Sequence, residues 1–200
     1  DQINLSIIDI YKNEDQPEEH KRIDQIDKDN PDWLFNPFLK LKGFDGVVDT
    51  PVELLHVYLL GVVKYLFKDF MNSCKKYHSE IEACWAAFNP DGLHIDPICP
   101  KFMMAHYGSF LGKHYRVVVQ SAPFVLFPFM NESQRKIWFH LCYLGNMLLQ
   151  TNIDDMDIYL HELQTHINIF LIEIIKMSAR WANKPKFHML VHLPEAIRRF

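Results

Sequence analysis

From Trp33 onward the chain is dense in apolar residues at helical period, whereas residues 12–32 show little of it. Val52, Leu55, Leu59, Val63, Leu66 and Phe70 recur at steps of three and four, the stripe of an amphipathic helix. The residues just ahead predict where it starts. Thr50 as N-cap, Pro51 at the first helical position and Glu53 at the third complete a capping box. There the Glu53 carboxylate accepts the Thr50 amide and the positive end of the helix dipole favours its charge.

Further helices follow by the same criterion. One runs from Pro100 to about Val119 with Met103, Met104, Tyr107, Phe110, Leu111 and Val118, weakened by Gly108 and Gly112. Another, from Glu132 to about Leu149, sets Ile137, Leu141, Leu144 and Leu148 on one face beside Trp138. The cleanest pattern is "IDDMDIYLHELQTHINIFLIEIIKMS", where Met156, Leu160, Leu163, Ile167, Phe170, Ile174 and Met177 alternate steps of four and three. That is a sustained helix packed along a neighbour. The last, 185–200, is interrupted by Pro194. The β-prone runs "YRVVVQ" and "FVLFPF" adjoin helical pattern, and Pro128 breaks the second. The fold class is therefore mainly α.

Ahead of these helices, "KNEDQPEEHKRIDQIDKDNPD" is polar, holds two prolines and shows little apolar period. It reads as a linker or a loose charged helix. The expected layout is an acidic polar segment over 1–32 and a helical region over 33–200.

Composition narrows the function. With 200 residues, 48% apolar and 14% aromatic, the chain can bury a core of its own. Cys74, Cys84, Cys99 and Cys142 lie far apart with no CxxC pair, so they read as reduced thiols in an intracellular compartment. No run has the length of a membrane span and no signal-peptide order opens the chain, so a soluble protein with no membrane partner is expected. It starts at Asp1 and stops in an unfinished helical pattern at Phe200, which predicts a piece of a longer polypeptide. The net charge of -4 conceals an asymmetry: residues 1–32 hold ten Asp/Glu and four Lys/Arg, whereas Lys176, Arg180, Lys184, Lys186, Arg198 and Arg199 face Glu195 alone over 176–200. A basic tail attracts phosphate backbones, although a solvated helix face is often basic too.

Eleven histidines raise the question of a metal. His188 and His192 are four apart on one helix face, as two zinc ligands require, but Met189 follows His188 where an HExxH hydrolase has its glutamate. His161 and His166 are five apart and off one face, while His106, His114 and His140 stand alone. Walker, GxGxxG and GxSxG motifs are absent. The remaining concentration of chemistry is Asp45, Asp49, Glu53 and His56 at the head of the first strong helix. A turn carrying two aspartates can assemble oxygen ligands for Mg²⁺, and two-metal phosphoryl transfer uses such carboxylates.

The blocks "WLFNPFLKLKGFDGVVDTPVELLHVYLLGVVKYLFKDF", "GSFLGKHYRVVVQSAPFVLF", "NIDDMDIYLHEL" and "RWANKPKFHMLVHLPEAIRRF", collinear from about Trp33 to the end, resemble fungal DNA transposases of the Plavaka type, relatives of the CACTA group. The resemblance implies a helical insertion of an RNase H-like DDE enzyme, with an incomplete catalytic core. In such enzymes three acidic residues hold two divalent metals, Mg²⁺ or Mn²⁺, that activate water and then a DNA 3′-hydroxyl for cleavage and joining. Relatives carry a C/D-x-x-H pair here, and "ELLH" puts Glu53 where Cys or Asp is expected and His56 on the histidine. The first catalytic aspartate is expected ahead of this chain and the final glutamate beyond it. Asp49 and Asp45 are then the candidate catalytic carboxylates, Asp49 preferred as metal ligand because it adjoins the helix cap. Lys184, Lys186, Arg198 and Arg199 are the candidate DNA contacts. The resemblance implies a nuclear protein with transposon ends as partner and possible self-association, inactive as this chain by itself. Two alternatives fit the same residues: a transposon-derived, non-catalytic helical module binding DNA or protein, and a decayed fragment with no function.

Overall fold

The computed structural model describes Lys42, Gly43 and residues 52–199. The chain divides after Thr50, and the described helices all belong to the second unit, Pro51–Phe200. The segment 1–32, and with it the expected linker, lies outside the described residues, as do Thr50 and Pro51 of the expected capping box. Among the described residues the secondary structure is helical and no strand occurs, so the two β-prone runs are absorbed into helices as their neighbourhood predicts.

Helix α1 opens as a π-wound stretch, Leu55–Val63, and continues as the α-helix Lys64–Ser73. It starts later than the capping box predicts, because Val52 and Glu53 both precede it. Its winding also departs from the expected period. A π-turn bonds each amide to the carbonyl five residues back, and this wider turn rotates the apolar face. Leu55, which the regular stripe places inside, is 38% exposed, while Val57, Tyr58 and Val62 are buried. Gly61 belongs to the winding: a Cβ there would stand 2.8 Å from the His56 carbonyl oxygen.

After α1 come α2 (His78–Ala87), α3 (Pro100–His106) and α4 (Gly112–Val125). The single helix expected over 100–119 is thus two helices. The chain leaves helical geometry between His106 and Gly112, around Gly108, and this break lets Phe110 turn inward and stack on Phe67 at 5.7 Å. His114 Nδ1 accepts the Leu111 amide at 3.0 Å and starts the second piece. α2 has too few apolar residues for a clear stripe, so periodicity does not predict it; it is held by Ile81 and Trp85, both buried.

α5 (Glu132–Leu148) and α6 (Met156–Met177) match the predicted spans closely. Asn131 and Gln134 form the capping box of α5, with reciprocal bonds of 2.9 and 3.0 Å. The Asp155 carboxylate caps α6 by accepting the amides of Asp157 and Ile158, each at 3.0 Å. The two helices run antiparallel, since Met147 pairs with Tyr159, His140 with His166 and Lys136 with Glu173. A short connection between neighbouring helices requires this direction. Along α6 the predicted stripe is buried through its centre from Leu160 to Ile174, and exposed at Met156. The C-terminal stretch breaks before Pro194: α7 (Pro185–Met189) passes through a 3₁₀ turn, Leu190–His192, into α8 (Leu193–Arg199). Pro194 sits in the first turn of α8, where its missing N–H costs nothing.

One core joins these helices. Phe67 is at its centre, with its ring against Trp85, Tyr107, Phe110, Tyr115 and Trp138. α4 packs between the π-wound part of α1 and α5, and α7 lies on that same π-wound part.

Candidate functional site

The head of α1 brings together one of the predicted pairs. Both oxygens of Glu53 are engaged: Oε1 accepts the Leu55 amide at 2.7 Å, and Oε2 accepts the His56 amide at 3.1 Å. The His56 ring Nδ1 also meets Oε2 in a short contact. Glu53 is therefore a cap, but in the N-cap position rather than at the third helical residue. Its slight burial pushes the carboxyl upward; the bonds from the His56 ring and from the His56 and Leu55 amides outweigh this and hold it below its ordinary value.

A carboxyl depressed in the folded state stabilises the fold above its unfolded value. That contribution disappears as pH falls through the lower, folded value. Glu53→Gln is expected to destabilise by at most about 1 kcal/mol at neutral pH. Its melting temperature should converge with that of the parent chain as the solution is acidified below about pH 4. Thermal melts at several pH values check this, and a difference that widens on acidification would contradict the capping role.

Asp45 and Asp49 lie outside the described residues. Among the described residues no group of three or more His, Cys, Asp or Glu stands where it would hold one metal ion. Mg²⁺ takes oxygen ligands in near-octahedral geometry, and Glu53 offers a single carboxylate whose oxygens already serve the helix end. The described residues alone do not fit such a centre.

The basic segment is laid against the same helix. The Lys186 side chain covers Gly61, its Cβ 3.1 Å from where a glycine Cβ would be. Lys184 Nζ lies over the ring of Tyr65 at 5.5 Å from its centre. Arg198 binds Asp157 of α6 at 2.7 Å, and Arg180 binds Asp69 of α1 at 2.6 Å while stacking on Trp181. Arg199 lies in the last turn of α8. Of the predicted DNA contacts, Arg198 is thus partly neutralised within the fold, and the two lysines project from α7 and the residue before it.

Two histidine contacts also emerge. His188 and His192 meet as their spacing predicts, Nε2 to Nε2 at 3.4 Å on the surface. His140, which stands alone in the sequence, is paired across the α5–α6 interface, its Nδ1 3.1 Å from Nδ1 of His166. His166 in turn stacks on Tyr143 at 3.9 Å. Burial first, then the charges of His166 and Lys136, lower the His140 pKa against an opposing effect of Glu173. Neutral rings can share one proton between these nitrogens. The contact is set by the register of two helices, which intrachain spacing does not encode.

All four thiols are free. Burial raises Cys142 to about 12 and Cys74 to about 11, so neither is a nucleophile at neutral pH. No described helix is long and apolar enough to cross a membrane. Comparison with known proteins finds no matching family model, no matching curated protein and no matching solved structure.

Proposed function

We propose that the chain is part of a DDE-type DNA transposase, the helical insertion with some of the surroundings of its catalytic centre, and that its basic C-terminal segment meets the DNA backbone. The observation that supports this most is the packing of Lys186 on Gly61. It joins two blocks far apart in sequence, the "ELLH" helix start and the "KPKFHMLVHLP" segment, on one body. Polynucleotidyl transfer requires cations that hold phosphates close to carboxylates that hold metal. In this reading Asp49 and Asp45, with acids outside this chain, would hold Mg²⁺ or Mn²⁺, which would supply the activation of water and of a 3′-hydroxyl. Glu53 organises the helix end and orients His56, leaving Asp49 and Asp45 as the carboxylates for ligation. Lys184, Lys186, Arg198 and Arg199 steer the duplex, Arg198 exchanging its exposed bond to Asp157 for a phosphate.

A non-catalytic helical module that binds DNA or protein is the second reading. It is favoured by the use of Glu53 as a cap and by the internal pairing of Arg198 and Arg180.

Binding of a duplex of arbitrary sequence across a salt series tests the proposal. Four phosphate contacts predict a slope of log affinity against log salt of about -3.6, and the Lys184→Gln, Lys186→Gln double variant should bring it to about -1.8. A salt-independent signal, or a slope unchanged in the double variant, would refute the proposed contact surface.

A further inference from the structure

We propose that the contact between His140 and His166 is an acid-operated latch between α5 and α6, which stays closed when the pair takes up one proton and opens when it takes up a second. It is independent of the transposase reading. The two Nδ1 atoms stand 3.1 Å apart, within hydrogen-bond range. One ring therefore donates from Nδ1 and the other accepts there, and the accepting ring carries its own proton on Nε2. His140 is the buried member of the pair. The ring of His166 is half-buried and lies on Tyr143 at 3.9 Å, an aromatic face that accommodates a charged ring. A first added proton enters at Nε2 of His166 and leaves the Nδ1–H···Nδ1 bond in place, now charge-assisted. A second has to enter at Nδ1 of His140, the atom that accepts this bond. Two N–H groups then face each other and two like charges share a helix interface, so the contact parts.

The surroundings support this order. Burial, then the charges of His166 and Lys136, resist protonation of His140, and Glu173 works the other way. Glu173 is itself held by Lys136 at 3.0 Å and Lys176 at 3.1 Å. Their bonds keep its carboxyl below the ordinary value, so this ion pair survives the acidification that protonates histidine. Glu162 lies about one turn before His166 on α6 and is exposed. Among the described residues, α4, also packed on α5, adds no charge to those acting on His140. Beyond α5, the elements packed on α6 include α8 and the 3₁₀ turns Ala179–Trp181 and Leu190–His192. Their Arg198, Arg180 and His192 meet Asp157, Asp69 and His188, and Glu195 and Arg199 of α8 are exposed.

Amide hydrogen exchange of the whole chain at about pH 7 and about pH 5, corrected for the intrinsic exchange rate, tests the latch. A histidine that binds its proton less well in the fold than in the unfolded chain contributes stability that is complete above about pH 6.5 and is lost as pH falls below it. The comparison is with His140→Asn, whose side-chain oxygen can accept from Nδ1 of His166 but takes up no proton. Protection of the α5 and α6 amides around positions 140 and 166 should fall about tenfold further in the parent chain than in this variant, the equivalent of about one pH unit of altered proton affinity. The excess loss should be larger in α5 and α6 than in α2. Titration of the parent chain by nuclear magnetic resonance should place the His140 midpoint below roughly pH 6.5, and His166→Gln, which removes one opposing charge, should raise it. Equal losses in the parent and in His140→Asn, an excess spread evenly into α2, or a His140 midpoint at or above about pH 6.5 in the parent would each overturn the latch. The parent titration decides by itself if His140→Asn fails to fold.

Discussion

Replacing Phe67 by alanine is expected to destabilise the fold by about 3–5 kcal/mol. The ring is fully buried and touches aromatic residues from α2, α4, α5 and the segment that joins α3 to α4. Deleting it removes its transfer free energy and leaves a cavity that five rings around it cannot collapse to fill, because they are anchored in several different elements. Phe67→Leu keeps much of the volume and should cost markedly less. Urea unfolding measures both variants, with the midpoint moving and the slope preserved. A cost for the alanine variant under about 1 kcal/mol would mean that Phe67 is not the centre of this core.

Gly145→Ala is expected to cost about 1–3 kcal/mol for the opposite reason, overpacking. A Cβ at position 145 would stand 2.4 Å from Val119 Cγ1 and 2.6 Å from the Tyr58 hydroxyl. Neither neighbour is free to give way. Val119 is buried and β-branched, with a stiff χ1, and Tyr58 donates its hydroxyl to the Leu141 carbonyl at 2.5 Å. Burial, with the nearby Cys142, keeps that phenol protonated by raising its pKa well above the ordinary value. Three helices therefore meet at the glycine. In a Val119→Ala background the penalty for Gly145→Ala should shrink in part, because the contact with Cγ1 is gone while that with the Tyr58 hydroxyl remains. Strictly additive losses would show that the clash is relieved elsewhere.

Periodicity reveals α5 and α6 almost to the residue, because each carries an unbroken stripe and a polar cap. It fails where the period itself changes. The π-winding of α1 moves Tyr58 and Val62 into the core and Leu55 outward, and nothing in the spacing of apolar residues distinguishes a wide turn from an ordinary one. Gly61 is the available sign, legible only once the His56 carbonyl is known to stand close. α2 leaves no periodic trace because two large side chains hold it, too few for a repeat. Gly108 and Gly112 mark a weakened helix in the sequence, but the inward turn of Phe110 that divides it depends on Phe67, distant along the chain.

The candidate site is legible to a similar degree. Spacing pairs Glu53 with His56, and His188 with His192, and both pairs meet. The contact of Lys186 with Gly61 and the His140–His166 pair arise from packing between elements and have no local signature. For Glu53 the sequence indicates the right kind of role at the wrong position, since a carboxylate ahead of a helix can accept amides either as the N-cap or from the third residue. Which of the two holds depends on where the helix begins.

Amide chemical-shift mapping with a short DNA duplex at low salt tests the proposed DNA-facing surface most directly. The largest changes should fall on Lys184 through Met189 and on the π-wound start of α1 around His56 and Gly61, and they should fade as salt is raised. Changes confined to the outer face of α5 and α6, around Phe139, Ile158 and Ile172, or no changes at all, would contradict it.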